Sequence, residues 1–400
     1  MVQWLHKKKT FTAEMMAEKP AQDLINETNR ILSEPISVQQ DIPAELTADL
    51  EQNTYIFSGF KSSQQMREVT AMIKDENGGI KPFNKFKEEV QKIHKAYNER
   101  YLEAEYNFAT HSVQSAVKWQ DFEKDGDRYN LQYRTANDGK VRDEHQSLHN
   151  TTLPPDDPFW NSYFPPNGWN CRCTAVQVRK SKYPESNSAE AIALGDAATN
   201  SPKLKIFRFN PGKTKQVFPP KHPYYKTSKA DADKINQLAK NRGEEVKSVQ
   251  ESKKKYDSYG KEWKKELFNK ENGGYLVTEK SRIEQATKNK QELAKYNKEK
   301  AMCEVFAKNG DRIEHLGEIP RVSSPDVNCN GVAAELKKLS SHVNIVKEAK
   351  EAIKKKGAKE VLFEFDKMTP QIHEELNKIA ARGIKGKYYI TGKEDDIHLF

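Results

Sequence analysis

The chain has 400 residues, with 67 Lys/Arg against 58 Asp/Glu, a net charge of +9, 36% apolar residues and 31% charged ones. That length is enough for two or three domains with cores of their own, and so charged a composition implies much exposed helix or linker. No apolar run approaches the roughly 18 residues of a membrane-spanning helix, and the opening "MVQWLHKKKTFTAEMMAEKP" lacks the apolar stretch of a secretory signal.

Residues 12–33 repeat apolar positions at helical spacing (Met15, Met16, Leu24, Ile25, Ile31, Leu32), predicting one or two helices. "TYIFSGFKSS", 54–63, reads as a short aromatic strand or loop. Residues 81–124 read as a long helix with Phe86, Val90, Ile93, Tyr97 and Tyr101 on one face. Residues 1–100 are therefore expected to be mostly helical.

From about residue 101 to residue 180 a small, loop-rich α+β module is expected. "RYNLQYRTA" and "CTAVQVRK" alternate like strands. The five prolines of "TLPPDDPFWNSYFPPNGWNCRC" forbid regular structure between them. His145, His149, Cys171 and Cys173 have the donor types of an N₂S₂ zinc site. Two thiolates one residue apart are an uncommon ligand spacing, so the expectation is a closing strand without zinc. The four cysteines (171, 173, 303 and 329) are too few for a disulfide framework and point to a reducing cytoplasm.

Residues 181–270 show no apolar periodicity and read as a tether without a core. Residues 201–300 hold 26 Lys/Arg against 13 Asp/Glu. Such a basic segment suits an anionic neighbour, nucleic acid first, or is simply solvated linker.

Residues 271–400 follow the order α-β-β-β-α-β-α-β, an α/β domain. "NKQELAKYNKEKAMCEVFAKNG" is a helix stopped by Gly310, and "DRIEHLGEI", "SPDVNC" and "GVAAELKKL" are strands. Two helix–strand pairs follow, the first helix stopped by Gly357 and the second capped by Thr369 and Pro370. In "GVAAELKKL" alternation sends Val332, Ala334 and Leu336 to the core and Glu335 and Lys337 to the other, polar face. Asp326 ends the preceding strand. Two carboxylates can hold a hard divalent cation, and a lysine beside them can orient water or stabilise developing charge. Glu299, on the helix face of Met302, Cys303 and Phe306, is a candidate extra ligand. The plainer alternative is a surface strand with a Glu–Lys pair.

Two resemblances add to this. "ENGGYLV", "AKNG", "IEHLGE", "SPD…NG…ELK" and "NIVKEAKEAIKKKGAKEVLF" resemble the C-terminal tRNA nuclease domains of bacterial contact-dependent inhibition toxins and the PD-(D/E)XK nucleases. The resemblance implies catalytic Asp326, Glu335, Lys337 and Glu299, Mg²⁺ or Mn²⁺ on Asp326 and Glu335, a tRNA substrate and an immunity protein. Such toxins also include metal-independent ribonucleases of the barnase, EndoU or colicin type, for which His315, His342, Lys337 and Asn328 are the candidates. "YNLQYRTANDGKVRDEHQSLH" with "PPDDPFWNSYFPPNGWNCRCTAVQVRK" resembles the phage Mu F-like head morphogenesis family of minor capsid proteins. That implies portal and capsid partners, no membrane, and a path from bacterial cytoplasm to virion. The expectation is thus a multidomain chain: helical 1–100, head module 101–180, tether 181–270 and nuclease 271–400. The alternative from another class is a structural head protein whose C-terminal domain is an inactive nuclease-like binding module.

Overall fold

The computed structural model describes residues 1–319 and 321–400. The chain divides into two compact units, Met1–Gly243 and Glu244–Phe400, and the boundary falls inside the helix Lys229–Ser258.

The first unit is built on the helices Lys19–Ser37 and Ala44–Ala71 and on a long rod. The rod runs from Phe83–Lys95 through a π-helical turn, Ala96–Tyr101, into Leu102–Asp125. Residues 54–63, expected as strand or loop, are helical. The reason is burial: Tyr55, Phe57, Ser58, Phe60, Lys61, Ser62 and Ser63 are all buried, so the helix has no wet face to betray its period. Gly59 is needed where the helix meets Ile235, since a Cβ there would come within 2.8 Å of its Cγ2. A three-stranded antiparallel sheet follows, with β1 Tyr129–Arg134 in the middle, flanked by β2 Thr152–Leu153 and β3 Thr174–Arg179.

Residues 181–243 also differ from expectation. Phe207, Phe209, Val217 and Phe218 are buried with Phe57 and Phe108 in one core cluster. Asp231 is buried against Arg67, and Ile235 and Ala239 are buried as well. Aromatic residues spaced by prolines and lysines have no helical or strand period, so this core is visible only once folded.

The second unit holds an eight-stranded mixed sheet, in the spatial order β11-β10-β9-β8-β7-β6-β5-β4. Its strands are β4 Trp263–Phe268, β5 Tyr275–Glu279, β6 Arg312–His315, β7 Val327–Cys329, β8 Val332–Leu339, β9 Glu360–Phe365, β10 Lys385–Ile390 and β11 Lys393–Leu399. The antiparallel edge strands β4 and β11, and β5 beside β4, are additions to the expected order. The helices Ile345–Lys356 and Pro370–Ala380 carry the crossovers between the parallel strands β8, β9 and β10. On one face Ala334 and Leu336 pack with Met302, Cys303 and Phe306 of the helix Lys290–Lys308. On the other, Val361, Phe363 and Phe365 pack with Ile345, Ala349 and Ile372. Asn330 and Gly331 both have positive φ, 54° and 82°, which makes the β7–β8 connection a two-residue primed turn. That turn sets Val327 opposite Ala334, the last pair of the ladder, with Asp326 just before β7 and Glu335 next along β8.

Candidate functional site

In the first unit, the loop after β1 brings His145 to the two cysteines that precede β3. His145 Nδ1 lies 3.6 Å from Cys171 Sγ and 3.7 Å from Cys173 Sγ. All three side chains are buried, with ligand atoms within 4.8 Å of one another, and among the described residues they form the group of three or more His, Cys, Asp or Glu that could hold a metal ion. Tetrahedral zinc, with Zn–S about 2.3 Å and Zn–N about 2.0 Å, sets its nitrogen and sulfur ligands roughly 3.5 Å apart. The donor set and its spacing therefore fit zinc. Cys171 is held well below the ordinary thiol value, first by its hydrogen bond with Cys173 and then by His145 against the effect of burial, while Cys173 is pushed up.

The surrounding residues pin this geometry. Asp138 binds Arg172, the residue between the cysteines, with Nη2 at 2.8 Å, and Arg142 donates to the Trp169 carbonyl at 2.7 Å. His149 is not part of the cluster; its Nδ1 accepts from Thr135 N at 3.2 Å and lies 2.8 Å from Thr135 Oγ1. A cleft of 220 Å³ opens beside His145, Cys171 and Cys173.

In the second unit, Asp326 and Glu335 lie just beyond the last pair of the β7–β8 ladder and are bridged by Lys356. Leu336 N donates to Asp326 Oδ2 at 3.1 Å, which fixes that carboxylate at the strand end. Asp326 precedes β7 rather than ending a strand. Glu335 is fully buried, not on a solvated face, because the helix Ile345–Lys356 covers that side of the sheet. Lys337 Nζ lies 3.1 Å from Glu335 Oε1 and 3.2 Å from Glu348 Oε2. Lys356, the last residue of that helix, donates to Glu335 Oε1 and lies 3.5 Å from Asp326 Oδ1. Glu335 Oε2 is buried and has no hydrogen-bond partner among the described residues. Burial raises the Glu335 carboxyl above its ordinary value and the charge of Asp326 adds to this, with Lys356 and Lys337 acting in the opposite sense. A cleft of 550 Å³ reaches Asp326 and Lys356 and is lined also by Lys288, Lys295, Arg321, Glu292 and Glu318.

Glu299 is not the third ligand of this pair. Its carboxylate receives Arg282 Nη2 at 2.7 Å and lies 3.1 Å from His315 Nε2. It projects from the helix that packs on the Ala334–Leu336 face, whereas strand alternation turns Glu335 to the opposite face. Burial opposes its charge, but His315 and Arg282 outweigh burial and hold Glu299 at about 2. The metal-independent set is likewise dispersed. His315 is buried and stacked on Tyr296 at 5.6 Å, Asn328 donates to Glu314 at 2.9 Å, and His342 is exposed after β8.

Lys356 and Arg282 were missed by the sequence reading. Lys356 carried one signal: it ends a helix at a Gly357 C-cap with φ 71°, where a last-turn lysine folds back toward the strands that flank it. Arg282 carried none.

Residues 69–176 match the family model described as Phage Mu protein F like protein. Over 117 residues the chain is 32% identical to "Putative capsid assembly protein F" of Escherichia phage Mu, covering 27% of this chain and 27% of that protein. Over 62 residues it is 39% identical to "Mu-like prophage FluMu F protein" of Haemophilus influenzae, covering 14% of this chain and 15% of that one. The chain thus spans about a quarter or less of the length of the curated relatives that it matches. No solved structure matches it. Among the described residues no helix is long and apolar enough to cross a membrane. The stretch that carries the His145–Cys171–Cys173 cluster is therefore similar to the Phage Mu protein F like family, whose match lies wholly within the first unit.

Proposed function

We propose that the chain is a phage or prophage head-assembly component whose second unit cleaves nucleic acid, tRNA foremost, at Asp326, Glu335 and Lys337. The first half of this reading is supported by the similarity of residues 69–176 to capsid-assembly proteins, and its partners are then portal and capsid proteins. The second half is carried by one observation. Glu335 on β8 and Asp326 just before β7 are bridged by Lys356, which with Asp326 lines a cleft, and among the described residues one oxygen of the buried Glu335 has no partner. A buried carboxylate oxygen without a partner is costly unless a ligand completes it.

Asp326 and Glu335 would hold a divalent cation such as Mg²⁺ or Mn²⁺ through oxygen. When bound, such an ion polarises a phosphate oxygen and makes its water more acidic. Leu336 N keeps Asp326 aimed at the pair. Lys337, anchored by Glu348, stands beside Glu335 to stabilise charge that develops on the phosphate. In the first unit His145, Cys171 and Cys173 would hold zinc as a clamp on a proline-rich loop segment short of regular structure.

Incubation of the full chain with total tRNA and with plasmid DNA, with and without Mg²⁺, tests the nuclease reading. Metal-dependent cleavage of one of them is expected, and an inert protein under all four conditions contradicts it. Elemental analysis tests the clamp. About one zinc per chain is expected, lost in Cys171→Ser, and protein purified without chelators that contains no zinc contradicts it.

A further inference from the structure

Lys356 reaches the acidic pair from a third element. It stands on the last turn of the helix Ile345–Lys356, and its Nζ bridges Glu335 Oε1 and Asp326 Oδ1, the latter at 3.5 Å. Burial opposes its charge, but Glu335 and Asp326 outweigh burial and raise its value. Lys337 shares the same Glu335 oxygen but is anchored away from Asp326 by Glu348 at 3.2 Å. Lys295 also approaches from the other side, near enough for Asp326 to act on its charge, and is held by Glu318. Of these three ammonium groups, Lys356 alone contacts both carboxylates, where a cation bound by the pair would lie. Lys356 also lines the cleft, where Lys288, Lys295 and Arg321 stand with Glu292 and Glu318.

We infer that Lys356 is a tethered stand-in for the divalent cation. It neutralises Asp326 and Glu335 in the metal-free protein and gives way when the ion enters, because two cations cannot share the same carboxylate oxygens without strong repulsion. Released at its Nζ end, it swings on its four-carbon stem into the cleft and contacts the phosphate backbone of the nucleic acid. The site thus keeps its carboxylates apart from one another's charge without metal, and metal entry deploys a phosphate contact. This rests on the nuclease reading above.

Mn²⁺ binding to the full chain, followed by electron paramagnetic resonance without nucleic acid, separates the two. Lys356→Met, which removes the competing charge, is expected to bind Mn²⁺ about tenfold more tightly than the unaltered chain. Glu335→Gln is expected to lose the binding. In Ca²⁺, Lys356→Met should bind tRNA more weakly and Lys356→Arg should restore it. Lys356→Gln serves the same arm if the methionine variant melts well below the parent. Equal Mn²⁺ affinity in the parent and both neutral variants, with binding still lost in Glu335→Gln, overturns the stand-in while sparing the metal site. Absence of Mn²⁺ binding in every form contradicts the nuclease reading and this inference with it. A second readout is amine labelling of Lys356 followed by mass spectrometry. Labelling should rise when Mn²⁺ is added, and unchanged labelling in a protein that binds Mn²⁺ also overturns the inference.

Discussion

Buried charges in this chain come in sets, and each set has a distinct consequence. Lys61 and Glu105 are both buried and pair with each other, and Glu105 also receives Tyr224 OH at 3.0 Å. Burial lowers Lys61 and raises Glu105 to about 7, so both partners resist their own ionisation. Removing one partner strands the other: Lys61→Met should cost about 3–5 kcal/mol in a urea melt, and adding Glu105→Leu should recover much of it. A single variant that melts like the parent would show that the pair contributes nothing. Glu299 behaves oppositely. Its folded value of about 2 lies below its ordinary 4.5, so the stability it contributes is present above pH 4.5 and is lost as pH falls toward 2. The contribution is on the order of 3 kcal/mol. Acid melts of the parent and of Glu299→Gln should converge through that window, the variant being weaker at neutral pH. Parallel curves down to pH 2 would contradict this.

At the scale of elements, the hairpin of β7 and β8 decides the candidate site. Asn330 and Gly331 supply the two positive φ angles of its turn, and the resulting register sets Val327 against Ala334, next to Asp326 and Glu335. Open space surrounds a Cβ at Gly331, so Gly331→Val fails by backbone strain rather than by a clash. A cost of about 1–2 kcal/mol in thermal or urea melts is expected, and a variant as stable as the parent would mean the turn does not need φ above zero. Strand alternation made the Glu335 and Lys337 face legible in the sequence, and glycine stops and a Thr-Pro start made the flanking helices legible. What alternation could not reveal is that a helix covers that face, so Glu335 is buried rather than solvated. The Glu299 ligand role also failed for want of sheet geometry: a helix period says which residues share a face, not which side of a sheet the helix takes. The helix over 54–63 was hidden by being buried all round, and Cys171 and Cys173 looked poorly spaced for a metal because the sequence does not show His145 folding back onto them.

For the whole molecule, the division into units at Gly243 and Glu244 replaces a long tether with a folded 181–243 and a helix that spans the boundary. A glycine inside that helix costs about 1 kcal/mol relative to alanine, which makes it a point of local opening. Limited trypsin digestion should therefore cut first at Lys240, Arg242 or Lys247. First cleavage between residues 203 and 221, where Phe207, Phe209, Val217 and Phe218 are buried, would contradict the packing described. Metal-dependent chemistry on nucleic acid at the carboxylate pair of the second unit is decided by single-turnover cleavage of tRNA by the full chain and by Glu335→Gln across a Mg²⁺ titration. Cleavage should rise with Mg²⁺ in the parent and be lost in Glu335→Gln at every concentration, with the variant still folded. Cleavage by Glu335→Gln equal to that of the parent, or cleavage by the parent that persists in excess chelator, would contradict it.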